Sequence, residues 1–257
     1  MVICFDAGNT DLVAGVFIQG KIADVIRIPY KKGQASQQYT QLIRNYMSEN
    51  GICTEKVKGC LLCCVANDTA QQLSSAMESV FGTKPVEFKN DETCGLKILT
   101  ENPYEVGTDI IASCMAAKDM LPMPCVVIDM GTATTVTAMD KDANVLGVSI
   151  LTGVASSAWA LKEKTGLPFE ENLKAQPKAI GTNTQKSIDS GIILGSAYAL
   201  DGLIRKFEEE IGQGSCSVIA TGGISQFIVP HCTTKIVLDQ NLLLEGLYCY
   251  YKNSIIK

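Results

Sequence analysis

The sequence predicts an α/β protein of two similar lobes, each a mixed sheet covered by helices. Three observations carry that prediction. An apolar strand, a tight glycine turn and a returning strand occur twice. The first copy is residues 2–5, Asp6-Ala7-Gly8-Asn9-Thr10 and residues 12–17; the second is residues 126–128, Asp129-Met130-Gly131-Thr132-Ala133-Thr134 and residues 135–139. Each copy is followed by further strand and helix patterns in a similar order, which suits a mixed sheet with helices on its faces. Pro122 and Pro124 interrupt the pattern between the copies, so the lobes are expected at 1–121 and 122–257. No short period runs through the chain, as it would in a repeat array.

The elements follow in order. Residues 13–17 and 21–28 read as strands joined at Gln19-Gly20. Residues 38–50 read as a helix with Tyr39, Leu42, Ile43 and Tyr46 on one face. A strand over 59–65 precedes Asn67-Asp68-Thr69, which can cap a helix reaching Val80. Residues 85–88 and 96–99 are short strand candidates. Residues 102–109 form an irregular loop into a helix that ends near Met120. In the second half, strands are expected over 126–129, 135–140 and 144–151, and helices over 156–164 and 184–211. The long helix is expected to bury Ile188, Ile192, Ala199, Leu203 and Phe207. Strands over 217–220 and 235–238 and a C-terminal helix containing Leu243, Leu247 and Tyr251 complete the pattern.

Composition narrows the function classes. Net charge −5 and a pI near 5.0 argue against broad nucleic-acid binding, which needs a basic face. They leave nucleotide binding open, because backbone donors and a metal can hold phosphate. Met1 runs directly into the first strand and no stretch is long and apolar enough to span a membrane, so a cytoplasmic protein with reduced thiols is expected. Cys60, Cys63 and Cys64 have a zinc-like look, but they sit in an apolar strand pattern and no second Cys/His pair answers them. They read as core residues. His231 lacks a partner motif and reads as structural.

The chemistry belongs to the two turns. An Asp at a strand end can hold a hard cation or its waters. Glycine admits a phosphate close to the backbone, and Thr or Asn gives short donors to its oxygens. Two such turns in one chain point to a duplicated phosphate site. Thr221-Gly222-Gly223 follows a strand, where a base or ribose could pack on the backbone. Asp109, at a helix mouth after Gly107 and Thr108, is the candidate to accept a proton from a substrate hydroxyl; helix capping is the alternative.

This combination resembles the type III pantothenate kinases, members of the actin, sugar-kinase and heat-shock-chaperone ATPase superfamily. The resemblance covers nearly the whole chain. It rests on Asp6-x-Gly-Asn-Thr10, Asn102-Pro-x-Glu-Val-Gly-x-Asp109, Asp129-x-Gly-Thr-Ala-Thr-Thr135, Gly181-x-Asn-Thr184 and Thr221-Gly-Gly223. It implies two duplicated RNase-H-like lobes with a nucleotide cleft between them, and ATP-dependent phosphorylation of pantothenate to 4′-phosphopantothenate, the first step towards coenzyme A. It also implies Mg²⁺, a monovalent cation (K⁺ or NH₄⁺) and a homodimer, with no nucleic-acid or membrane partner.

Carried over position by position, the resemblance gives Asp6, Ala7, Gly8, Asn9, Thr10, Asp11, Leu12 and Val13 to the ATP phosphates, with Asp6 on Mg²⁺. Asp109 is the implied general base. Asp129 helps hold the monovalent cation, Thr132 contacts ATP, and Gly222 and Gly223 flank the nucleotide. Gly107, Thr108, Asp109, Ile110 and Thr184 line the acceptor site. The acceptor side departs from the family pattern. Ile110 stands where the family usually has Arg, a natural partner for the pantothenate carboxylate. Thr100 replaces an aromatic, and the stretch Gly147-Val148…Thr152-Gly153 replaces Gly-Gly…Pro-Gly. Two rivals follow: a same-fold kinase for another small hydroxylated acceptor, and a non-catalytic nucleotide-binding regulator.

Overall fold

The computed structural model describes residues 1–8, 11–64, 67–170, 172–173 and 177–256, and of Asn67 and Ile256 the backbone only. The first half forms β1 (Val2–Ala7), β2 (Asp11–Ile18), β3 (Lys21–Pro29), α1 (Ser36–Glu49), β4 (Gly59–Cys64), α2 (Asn67–Phe81), β5 (Val86–Glu87) and α3 (Thr108–Met120). The second forms β6 (Cys125–Met130), β7 (Ala133–Met139), β8 (Val145–Thr152), α4 (Val154–Thr165), α5 (Thr184–Ile211), β9 (Ser217–Thr221), α6 (Ser225–Ile228), β10 (Val237–Leu238) and α7 (Leu242–Ile256).

The duplication is real at the level of topology. The sheets have the orders β3-β2-β1-β4-β5 and β8-β7-β6-β9-β10, which are the same order one repeat apart. In each, the first three strands are antiparallel neighbours, and the first then pairs in parallel with the fourth. The β2–β3 hairpin closes on Gln19 at φ 51° and Gly20 at φ 83°. Two central residues of positive φ form the turn whose twist matches the flanking strands.

Contacts divide the chain into two compact units. The first is Met1–Gly95, Val106–Ala116 and Leu243–Lys257; the second is Leu96–Glu105 and Ala117–Leu242. This corrects the contiguous division at 121/122. The C-terminal helix α7 returns to the first unit because three glycines make room for it. A Cβ at Gly15 would lie 3.1 Å from Leu244 Cδ1, one at Gly59 would fall on the Tyr251 hydroxyl, and one at Gly246 would fall on the Ala112 carbonyl of α3. Residues 96–105 leave the first unit because Leu99 N–H donates to the Val145 carbonyl and Val145 N–H to the Lys97 carbonyl, both at 2.8 Å. The strand expected over 96–99 is accordingly one parallel bridge, Ile98 to Val145.

Each unit has its own core. In the first, Ile3, Phe5, Leu12 and Leu62 of the sheet meet Tyr39, Ile43 and Met47 of α1 and Leu73 and Met77 of α2. Each such large side chain contributes about 1.5–3 kcal/mol by leaving water. In the second, Val126, Ile128, Val136 and Val218 meet α5. The buried stripe of α5 differs from the expected face. Ile188, Ile193, Leu194, Ala197, Leu200 and Ile204 are the apolar buried residues, while Ile192, Leu203 and Phe207 pack only partly against the core. Buried Asp189, Ser190 and Asp201 interleave with them and blur the apolar period. The helix ends at Gly212, φ 64°, in the left-handed conformation that commonly stops helices.

Candidate functional site

In open α/β sheets, ligands gather outside the carboxyl ends of the parallel strands. In the first unit those ends are Asp6-Ala7 of β1 and Cys63-Cys64 of β4, paired in register as Asp6 with Cys63 and Ala7 with Cys64. Beyond β1, Gly8 N–H donates to the Asp11 carbonyl at 3.0 Å, and the Gly8 carbonyl accepts from the Tyr30 hydroxyl at 2.8 Å. Gly8 is therefore held from both sides. Burial, then the neighbouring Cys64, Tyr39 and Asp6, raises the Tyr30 hydroxyl well above the ordinary phenol range, so it stays a donor. Asn9 and Thr10 lie outside the described residues, as does Val65 at the expected end of β4. Leu12 is fully buried in the core, which leaves only its backbone for a ligand.

The third element at this edge is the start of α3. Thr108 is its first residue and Asp109 its second. Thr108 Oγ1 accepts from the Cys63 thiol at 3.5 Å. The Asp109 side chain folds back on its own turn, where its Oδ1 accepts from Ile110 N–H at 2.9 Å. A Cβ on Gly107 would crowd that oxygen, so glycine leaves the carboxylate room in this position. Burial first, then the Asp6 charge, pushes the Cys63 thiol up to about 12; Asp109 and Cys64 add to the shift and the Thr108 hydrogen bond opposes it. One buried thiol thus feels both Asp6 and Asp109. Asp6 is half-buried and Asp109 exposed, so both carboxylates are reachable.

In the second unit the equivalent edge is Asp129 of β6, paired with Thr135 of β7 and Thr221 of β9. Its turn is held by backbone bonds and a serine hydroxyl. Gly131 N–H donates to the Ala133 carbonyl at 3.0 Å; the Thr132 carbonyl accepts from Gly153 N–H at 3.1 Å and from Ser156 Oγ at 2.8 Å. A Cβ at Gly153 would collide with the carbonyls of Gly131 and Thr132. Gly222, at φ 91°, lies against the Met130 backbone, with a Cβ there only 2.5 Å from its carbonyl oxygen. Ser225, fully buried, donates to the Gly222 carbonyl at 2.7 Å and accepts from Gln240 at 2.9 Å. Thr132 and Gly223 are left exposed at this edge.

Thr184 is the exposed first residue of α5, and Asn183 caps that helix by accepting from Lys186 N–H at 2.9 Å. No contact ties Thr184 to either turn among the described residues. His231 lies in a 3₁₀ turn, Val229–His231, remote in sequence from both turns. The cysteines are free thiols, all buried or half-buried except exposed Cys53, and no group of three or more His, Cys, Asp or Glu able to hold a metal occurs among the described residues. A single carboxylate fits Mg²⁺, which binds through one or two protein carboxylates and completes its shell with phosphate oxygens and water. Sequence reasoning missed Tyr30, Cys63, Gly153 and Ser156 as parts of this architecture. Only strand register could have revealed Cys63, which sits beside Asp6.

A family model described as type III pantothenate kinase matches residues 2–206. A relative named type III pantothenate kinase, from Roseiflexus sp. (strain RS-1), is 29% identical over 252 residues, 98% of either chain. Among solved structures, a conserved protein of Campylobacter jejuni described as a Baf family transcriptional activator aligns over 99% of this chain and 100% of its own, with TM-score 0.63 and 16% identity. The ROK hexokinase of Thermus thermophilus aligns over 98% of this chain and 99% of its own, with TM-score 0.53 and 11% identity. At such identities the solved structures speak for the fold alone: an α/β fold of two duplicated lobes.

Proposed function

The chain belongs to the type III pantothenate kinase family, and from that membership we propose how its own residues serve the family's reaction, the ATP-dependent phosphorylation of pantothenate that opens coenzyme A synthesis. The observation that supports the assignment is the strand register that sets Asp6 beside Cys63, whose thiol donates to Thr108, the residue before Asp109. In this reading the pantothenate hydroxyl loses its proton to Asp109 as its oxygen bonds to the γ-phosphorus. The bond from that phosphorus to the bridging oxygen breaks, and ADP leaves.

Residues Asp6 to Val13 would cradle the phosphates, with Gly8 giving close approach. Mg²⁺ bound through Asp6 would offset phosphate charge. Thr132, Gly222 and Gly223 would hold the nucleotide, and Asp129 would supply an oxygen ligand to K⁺ or NH₄⁺. Gly107, Thr108, Ile110 and Thr184 would line the acceptor site. A homodimer and a cytoplasmic location complete the proposal. The first is supported by the family resemblance. The second is supported by eleven thiols suited to a reducing compartment. No described helix is long and apolar enough to cross a membrane. Light scattering of the purified chain and cell fractionation test these two points.

The central test is product formation from purified protein, Mg-ATP and pantothenate, with K⁺, NH₄⁺ or Na⁺ in turn. Phosphopantothenate formed only with a suitable monovalent cation supports the whole reading. ATP binding without phosphopantothenate would reject it in favour of another hydroxylated acceptor, the alternative that Ile110 at the usual Arg position favours.

A further inference from the structure

We propose that Cys63 is a positioning residue: its thiol ties the start of α3, through Thr108, to the strand beside Asp6, and so sets where the Asp109 carboxylate stands. The inference rests on the assignment of Asp109 as the base. Four observations lead to it. Cys63 is 2% exposed and directly opposite Asp6 in the parallel β1–β4 register. Its Sγ lies 3.5 Å from Thr108 Oγ1, across 45 residues of chain. Thr108 opens α3 and Asp109 follows it at once. The Asp109 side chain, finally, is locked to its own turn by Ile110 N–H and seated over Gly107.

The carboxylate hangs from the first turn of α3 and accepts from that turn's own N–H, so its place follows where the helix begins. That start is anchored to the sheet by the thiol–hydroxyl contact. Proton transfer from a substrate hydroxyl demands hydrogen-bond reach, and displacement by about 1 Å can cost on the order of a hundredfold in rate. Cys63 itself touches no reacting atom in this arrangement. Its role is to hold two carboxylate-bearing elements in one geometry.

The test is a double-mutant cycle on the full chain with Cys63→Ala and Thr108→Val, with Cys63→Ser as the conservative control. Each of the first two variants is expected to lower kcat about tenfold while the KM for ATP changes less than about twofold, and the double variant should lose no more than either alone. Cys63→Ser, which keeps a donor at the site, should recover most of the loss. Losses that multiply in the double variant, or a Ser variant no better than Ala, would overturn the proposal. Hydrogen exchange of the peptide covering residues 106–115 gives a second readout that needs no turnover. Exchange should quicken in both single variants and no further in the double; wild-type exchange in all of them would also refute the tie. If the unaltered chain forms no phosphopantothenate, the functional assignment fails, while the exchange measurement still decides whether Cys63 positions this helix.

Discussion

The two units share one strand order and hold Gly8 and Gly131-Thr132 alike, by a backbone bond and a hydroxyl, but set different side chains beside them. In the first, the turn after β1 stands beside side-chain chemistry: Asp6, the Cys63 thiol, Thr108 and Asp109 meet at one sheet edge. In the second, backbone and serine hydroxyls crowd the turn after β6. Gly153 and Gly222 press on its carbonyls, and Ser156 and Ser225 donate to the Thr132 and Gly222 carbonyls. Duplicated topology thus supports divided labour. Under the proposed function, the first edge would move a proton and hold Mg²⁺, and the second would hold the nucleotide and a monovalent cation.

The sharpest way to break this comparison is at Asp109. Asp109→Asn should lower kcat by about 10²–10⁴, the usual contribution of a general base, as read by phosphopantothenate formation. Normal turnover would remove Asp109 from the mechanism and the comparison with it. Next is the rigidity of the second edge. Gly222→Ala forces a side chain to φ 91° and into the Met130 backbone. It should cost about 3 kcal/mol in denaturant unfolding, combining strain and overpacking.

Asp201 makes the same point through charge. It is buried, and its carboxylate accepts from Thr233 N–H and Oγ1, both at 2.8 Å, and from Thr234 N–H at 2.9 Å. Burial opposes ionisation, but these hydrogen bonds outweigh it and hold the carboxyl below its ordinary value. A lowered folded pKa gives stability that is present above the unfolded value, about 4, and is lost as pH falls through the folded value. Asp201→Asn should therefore cost about 2 kcal/mol at pH 7 and progressively less in acid, measured by urea unfolding at several pH values. A cost independent of pH would contradict this. The smallest effect is expected at the acceptor side of the first edge. Ile110→Arg should lower the KM for pantothenate about tenfold, in line with a partly exposed charged contact. No change would indicate that this pocket recognises its acceptor in another way.

Much of this was legible in the sequence because it is local. The apolar runs, the two Asp-x-Gly turns, Gln19-Gly20 and the full span of α5 all announce themselves within a few residues. The proposed site residues were legible as motifs, yet their grouping was not. Parallel register sets Asp6 beside Cys63, and Asp109 follows Thr108, the Cys63 partner 45 residues further along. The return of α7 to the first unit depends on glycines at 15, 59 and 246, whose shared purpose exists only in three dimensions. The face of α5 was obscured by polar residues at buried positions, Asp189 and Asp201 among them. Asn9 and Thr10 remain assigned by motif, since they lie outside the described residues.

The division of labour is tested most directly by calorimetric titration of ATP into Asp109→Asn and Thr132→Ala, with kcat measured on the same preparations. The account predicts that Asp109→Asn binds ATP within about threefold of the unaltered chain while its turnover is lost. Thr132→Ala should bind ATP several-fold more weakly and keep most of its kcat at saturating ATP. The opposite pattern, weakened ATP binding in Asp109→Asn and lost chemistry in Thr132→Ala, would contradict it.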